Sequence, residues 1–194
     1  MKHIFPEADS LSPRERSILK GHKPIVVWFT GLSGAGKSTL AKLLEKELFR
    51  RKIHTCLLDG DNIRSGLNCN LRFTEEDRTE NLRRVAEVAK LFLESGTVVI
   101  SAFITPLESD RELIKNIIGK DYFVEVFVAT SLNECERRDV KGLYQKARAG
   151  EIDHFTGISA PYEKPVAPDV EVNTEEFVPG VLVEEILKVI TSRI

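Results

Sequence analysis

The sequence is poor in cysteine and lacks any apolar run long enough to cross a bilayer. Its three cysteines, Cys56, Cys69 and Cys135, are odd in number, widely spaced and in no metal-ligand pattern. They read as reduced core or surface thiols of an intracellular protein rather than as a disulfide framework. The opening residues, MKHIFPEADSLSPRER, contain no apolar stretch that could serve as a signal peptide. The strongest apolar run near them, IVVWF, is far too short for a membrane span, so the expected compartment is the cytoplasm. An excess of charge is missing too. Lys and Arg number 28 against 30 Asp and Glu, a formal net charge of −2. That balance argues against a disordered chain and against a general nucleic-acid binder, while leaving room for a local basic site. Internal repeats and low-complexity tracts are absent. His3, His22, His54 and His154 fall in unrelated places with no metal or triad spacing, and none is assigned a catalytic role.

What is present is an alternation of strand-like and helix-like patterns. Ile25–Thr30 reads as a buried strand, followed by a loop and a helix over about Lys37–Arg51. HTCLLD, ending at Asp59, Thr97–Ile104, Tyr122–Ala129 and the short Asp169–Asn173 read as four more strands. Strands alternating with helices predict a parallel sheet with helices on both faces. Thr74-Glu75-Glu76-Asp77 is a capping-box start for a long helix, with Leu82, Val85, Ala89 and Phe92 as its core-facing stripe. Ser131 to Glu134 repeats the capping signal, and a last helix is expected over about Val178–Ser192. From Asp139 to Pro168 the pattern breaks into charged residues, glycines and prolines around one weak helical piece, GLYQKARA. So long a loop inside a compact domain is usually functional, often a lid. The expected organisation is a polar arm over residues 1–23 and one domain over 24–194, with the lid at about 139–168.

GLSGAGKST, Gly31 to Thr39, matches the phosphate-loop pattern and lies between a predicted strand and a predicted helix, the context that gives the pattern meaning. The backbone of Gly31, Leu32, Ser33, Gly34, Ala35 and Gly36 would turn amides toward phosphate oxygens of ATP, and Lys37 would reach the β- and γ-phosphates. Ser38, followed by Thr39, supplies the hydroxyl that ligates Mg²⁺ in such loops. In many nucleotide-hydrolysing proteins an apolar strand then ends in a metal-holding aspartate. Here TVVISAFITP ends at Pro106 with no acid. A guanine-reading Asn-Lys-x-Asp signature is also absent, which favours a small-molecule kinase with a water-excluding lid over a GTPase switch.

The acceptor is to be read from Leu57–Arg84. Asp59 and Asp61 flank Gly60 at the carboxyl end of the second strand, where open α/β sheets bind ligands. Either carboxylate could accept a proton from a substrate hydroxyl or anchor metal-bound water, and either could instead cap the following turn. Phe73 precedes the long helix, on which Arg78 and Asn81 share a face; with Arg64 they make a pocket for a nucleotide-like anion. Phe73 has a competing reading as a hydrophobic staple before the Thr74 cap. Arg83, Arg84 and Glu87 read as a solvated ion-pair face, Phe92 and Phe103 as core, and Trp28 as packing.

The segments GLSGAGKST, LLDGDNIRSGL, FTEEDRTENLRRVAEVAKLF, ISAFITP and DVKGLYQKARAGEIDHFTGISAPYE together resemble the adenylyl-sulfate kinase family, in the family's order and over nearly the whole chain from Gly21. The resemblance implies a three-layer P-loop kinase fold with a five-stranded parallel sheet. It also implies transfer of the ATP γ-phosphate to the 3′-hydroxyl of adenosine 5′-phosphosulfate, with Mg²⁺, in sulfate assimilation. Phe73 would then stack on the acceptor adenine with Phe155 on its other face. Arg64, Arg78 and Asn81 would hold the phosphosulfate and ribose, Ile104 would give a main-chain contact, and Lys141 would stabilise the transferring phosphoryl. Asp61, with Asp59 beside it, would lie close to the 3′-hydroxyl. Family members commonly carry serine where Thr105 stands, a proposed phosphoryl-acceptor position; direct in-line transfer is favoured here, because phosphoryl transfer mainly needs positioning and electrostatics. The resemblance further suggests a homodimer, and association with the sulfurylase that makes the substrate stays open. Two other readings remain: a kinase for another small alcohol, and a non-catalytic nucleotide-binding regulator of a sulfate-activating partner.

Overall fold

A computed structural model describes residues 11–194. Five parallel strands form one sheet in the order β2-β3-β1-β4-β5, as the alternating pattern predicts. They are β1 (Val26–Thr30), β2 (Thr55–Asp59), β3 (Val98–Ala102), β4 (Phe123–Val128) and β5 (Val170–Val172). The helices are α1 (Pro13–Lys20), α2 (Lys37–Arg50), α3 (Gly60–Ser65), α4 (Glu75–Glu94), α5 (Glu108–Ile118), α6 (Leu132–Arg138), α7 (Leu143–Arg148) and α8 (Pro179–Ile190).

Because strand side chains alternate faces, β1 feeds two cores at once. Val27 and Phe29 pack with Leu40 and Leu44 of α2 and Leu182 and Ile186 of α8. Val26 and Trp28 face the other way, against Leu82, Val85 and Ala89 of α4 and Ile114 of α5. Every β1 and β3 residue is buried, which explains their unbroken apolar runs. β1 lies between β3 and β4, the point where strand order reverses, and the carboxyl ends on either side frame a ligand crevice there.

Several expectations shift by small amounts. The third strand ends at Ala102 instead of Ile104, because the Ile104 carbonyl turns away to accept from Gly31 N and the Thr30 hydroxyl. On α4 the expected stripe holds for Leu82, Val85 and Ala89, but Phe92 is 40 % exposed and Leu93 takes its place at 2 %. A heptad step drifts around a 3.6-residue helix, so the stripe continues at Leu93. Phe103 is core, stacked on Trp28 with ring centroids 5.4 Å apart. Arg83 and Arg84 both pair with Glu80, and Arg83 also with Glu87, on the solvated side. All three cysteines are free thiols.

The arm carries more structure than expected. Its residues 1–10, with His3, lie outside the described residues, but Ser12 and Glu15 form a reciprocal capping box that starts α1, with Pro13 at the first helical position. Lys20 donates to His54 Nδ1 at 2.8 Å, and a side chain at Gly96 would meet Arg16, so this helix packs on the turn after α4. Helix α5 starts after Leu107 with no side-chain cap, so no local start signal marks it in the sequence. Among the described residues no helix is long and apolar enough to cross a membrane.

Candidate active site

One cavity of about 800 Å³ opens at the carboxyl ends of β1, β2 and β3. The phosphate loop, the Asp59–Asp61 turn, Phe73, the start of α4, the end of β3 and the 139–156 segment all line it.

The loop itself is organised by what happens to its carbonyls. Lys37 Nζ donates to the carbonyls of Gly31 (2.9 Å) and Leu32 (2.7 Å). Tyr144 donates to that of Ser33, Thr130 and Thr174 to that of Ala35, and Leu40 N to that of Gly36. The Gly31 and Ala35 amides, expected to face phosphate, instead donate to the Ile104 (3.3 Å) and Leu32 (3.2 Å) carbonyls. The remaining loop amides are the donors available to an anion, and the first turn of α2 adds its own unpaired N–H groups. Gly31 has φ +147°, and a side chain there would collide with the Val128 carbonyl at 2.7 Å, so only glycine fits. Burial lowers the Lys37 ammonium from 10.5 to about 8, a shift that Lys141 deepens and that Asp59 and Asp61 oppose.

The acid missing from the end of β3 is supplied next door. In the β2–β3 register Asp59 lies beside Ala102, and its Oδ2 accepts the Ser38 hydroxyl at 2.7 Å. A hydroxyl and a carboxylate are hard oxygen donors, the set Mg²⁺ takes while keeping several waters and phosphate oxygens. These two residues therefore suit the metal; among the described residues no cluster of three or more His, Cys, Asp or Glu forms an alternative site. The turn cap is Asp59, whose Oδ1 accepts the Asp61 amide at 3.1 Å. Asp61 is left exposed in the first turn of α3, where it pairs with Lys141. Two residues 80 apart in sequence thus meet at the cavity mouth.

On the acceptor side, Phe73 is 60 % exposed and is no staple. The Arg64 guanidinium lies 4.5 Å from its ring centroid, and Arg64 also donates to the Arg72 carbonyl at 3.0 Å. Arg78 holds three groups: the Phe73 carbonyl (2.9 Å), the Thr156 hydroxyl (2.8 Å) and the His154 carbonyl (2.5 Å). Burial lowers both guanidiniums somewhat below their usual range, and for Arg64 the neighbouring Arg78 adds to it. Asn81 is buried, and its Oδ1 accepts from Asn68 Nδ2 at 2.9 Å, which leaves the Asn81 amide N–H₂ as its donor. Phe155 is only 8 % exposed and packs edge-to-face on Tyr144. The Ile104 carbonyl is already taken, so its amide is the contact it has to give.

Thr105 sits differently from the other candidates. It is 1 % exposed with φ +46°, and its hydroxyl accepts the Trp28 indole N–H at 2.9 Å. Sequence reasoning did not find Trp28, Asn68, Tyr144, Thr130 or Thr174 as parts of the site. Each reaches it through contacts between distant segments, and none carries a local motif.

With the geometry in place, similarity to known proteins is informative. A family model, adenylylsulphate kinase, matches residues 23–173. An adenylyl-sulfate kinase of Shewanella amazonensis is 56 % identical over 176 residues, covering 91 % of this chain and 89 % of that one. One of Bacteroides thetaiotaomicron is 54 % identical over 193 residues, covering 99 % and 96 %. The APS kinase CysC of Mycobacterium tuberculosis, solved in complex with AMPPNP and APS, superposes with a TM-score of 0.83 at 46 % identity, covering 87 % of this chain and 98 % of that one. The phosphate loop, the Asp59–Asp61 turn, the α4 start and the Lys141–Phe155 segment all lie inside the matched span, and the chain belongs to the adenylylsulphate kinase family.

Proposed function

We propose that the protein transfers the γ-phosphate of ATP to the 3′-hydroxyl of adenosine 5′-phosphosulfate, giving ADP and 3′-phosphoadenosine 5′-phosphosulfate. The observation that carries this reading is that the Asp61–Lys141 pair lines one cavity together with the phosphate loop and an aromatic–guanidinium pocket.

In this reading Gly31–Thr39 and Lys37 hold the ATP phosphates, and Ser38 with Asp59 holds Mg²⁺, which neutralises phosphate charge when bound. Phe73 and Phe155 flank the acceptor adenine. Arg64, Arg78, Asn81 and the Ile104 amide fix the phosphosulfate and ribose. Asp61 accepts the proton of the 3′-hydroxyl as its oxygen attacks the γ-phosphorus, the bond to the ADP oxygen breaks, and Lys141 offsets the charge that develops. Phosphoryl passes directly between substrates. The buried Thr105 hydroxyl, already engaged by Trp28, supports its having no covalent role. The 139–168 segment acts as the lid of a single catalytic domain. Homodimer formation and contact with the sulfurylase that makes the substrate rest on the family resemblance, and sedimentation alone and with that enzyme tests them.

The test is ADP release in the presence of Mg²⁺, with and without adenosine 5′-phosphosulfate, and direct detection of the 3′-phosphorylated product. Acceptor-dependent ADP and that product are expected. Nucleotide binding without product would overturn the reading in favour of a non-catalytic regulator, and turnover only with another alcohol would redirect the substrate.

A further inference from the structure

Among the donors that engage the loop carbonyls, one comes from the 139–168 segment. Tyr144 on α7 donates its hydroxyl to the Ser33 carbonyl at 2.9 Å. The Ser33–Gly34 peptide is trans, so the Ser33 carbonyl and the Gly34 N–H point in opposite directions across one plane. Fixing the carbonyl on Tyr144 therefore fixes the direction of the Gly34 amide. Gly34 has φ +75°, and a side chain there would approach the Cys135 carbonyl at 3.3 Å, so the peptide rests closely on α6.

The same side chain faces the acceptor side. The Tyr144 ring meets the Phe155 ring edge-to-face, with centroids 4.9 Å apart and planes at 76°. The residues on either side of Phe155 are both held by Arg78, which donates to the His154 backbone carbonyl and to the Thr156 side-chain hydroxyl. Tyr144 is itself firmly placed. It is 3 % exposed, and the Asp139 carboxylate accepts its amide and that of Gln145, both at 3.0 Å, which anchors the start of α7. One rigid side chain thus touches a phosphate-loop peptide with its tip and an acceptor-pocket ring with its edge.

We propose that Tyr144 is a positioning residue that couples the two substrate sites: its hydroxyl aims the Gly34 amide at the nucleotide phosphates while its ring seats Phe155 against the acceptor. The inference rests on the proposed reaction, since it takes ATP and adenosine 5′-phosphosulfate as the two ligands. A residue that only filled space would affect folding, whereas this one links two affinities, and linkage of that kind is reciprocal.

The experiment is calorimetric binding of AMPPNP with and without saturating adenosine 5′-phosphosulfate, and the converse titration, on wild type, Tyr144→Phe and Phe155→Leu, with melting temperatures of each. In the wild type each ligand changes the other's affinity. Tyr144→Phe keeps the ring and removes one hydrogen bond, so AMPPNP affinity alone falls about fivefold. Acceptor affinity alone stays within about twofold and the coupling factor moves toward one. Phe155→Leu keeps the Tyr144–Ser33 bond, so AMPPNP affinity alone is retained while acceptor affinity and the coupling both fall. The proposal is overturned if the coupling factor in either folded variant equals that of the wild type, or if wild type binds both ligands independently. It is also overturned if Tyr144→Phe weakens both ligands equally and lowers the melting temperature. A wild type that does not bind adenosine 5′-phosphosulfate at all would instead sink the proposed function.

Discussion

Trp28 donates its indole N–H to the Thr105 hydroxyl across 77 residues of sequence, and this bond holds the turn after β3. The Thr105 carbonyl is held as well, by Arg111 at 3.1 Å. A β-branched residue at φ +46° is strained, and it persists here because Trp28 and Arg111 donate to its two polar oxygens. The hydroxyl that ends the TVVISAFITP run is a structural acceptor at the edge of the pocket.

Thr105→Val therefore separates structure from chemistry. Valine keeps the β-branch and the backbone preference but leaves the buried Trp28 N–H without a partner, a cost of about 1–3 kcal/mol. For a chain of this size each kcal/mol moves the melting temperature by about 2–4 °C. The expected outcome is a lowered melting temperature with kcat within a few-fold of wild type. Abolished turnover with both substrates still binding would restore a covalent role for this residue.

Asp61 and Lys141 are expected to act as a unit. Both side chains are well exposed, at 74 % and 57 %, and ion pairs of that kind add little stability. Asp61→Asn and Lys141→Ala should each lower kcat by roughly 10²–10⁴ with unchanged melting temperatures. The double variant should be no worse than the worse single one, because the partners share one task. Full activity in Asp61→Asn, or simple multiplication of the two losses, would show that the pair does not act at the transferring phosphoryl.

Arg78 is the tie between the acceptor pocket and the 154–156 segment. Its three hydrogen bonds need the planar fork of a guanidinium, which lysine cannot reproduce. Hydrogen bonds to charged groups are worth about 1.5–3 kcal/mol, so Arg78→Lys should raise the KM for adenosine 5′-phosphosulfate roughly tenfold or more. The KM for ATP should stay within about twofold. Equal changes in both KM values would count against an acceptor-side role.

The sheet and the phosphate loop were legible in the sequence because their signals are local. Unbroken apolar runs mark strands buried on both faces, and GLSGAGKST lies between a strand and a helix. Ser12-Pro13-Arg14-Glu15 is an equally local signal for α1, but the helix it starts buries no residue and so shows no apolar stripe in the sequence. Other features depend on long-range contact. Asp59 and Asp61 are equally good caps by residue type; in the fold Asp59 precedes α3 and caps it through Oδ1 while its Oδ2 accepts Ser38, 21 residues away, and Asp61 lies inside the first turn. Asn68 and Tyr144 look like ordinary loop and helix residues until the fold brings them to Asn81 and Ser33.

Glu134 gives a test at low pH, at some distance from the reacting atoms. The Arg137 guanidinium, and then that of Arg138, hydrogen-bond its carboxylate and hold it at about 2, below the ordinary 4.5. Arg138 in turn donates to the hydroxyl and carbonyl of Thr174, and the Thr174 hydroxyl donates to the Ala35 carbonyl of the phosphate loop. A carboxylate whose folded value is depressed leaves the unfolded state holding more protons between the two values. Its contribution to stability is therefore complete above about pH 4.5 and is lost as pH falls toward about 2. Comparing wild type with Glu134→Gln cancels the other carboxylates. Wild type should melt higher at pH 7, with the gap closing as the pH drops through that window, and the variant should also bind AMPPNP more weakly at pH 7 because Arg138 is less well held. A gap that stays constant down to pH 2 would mean that Glu134 stabilises the fold without its charge.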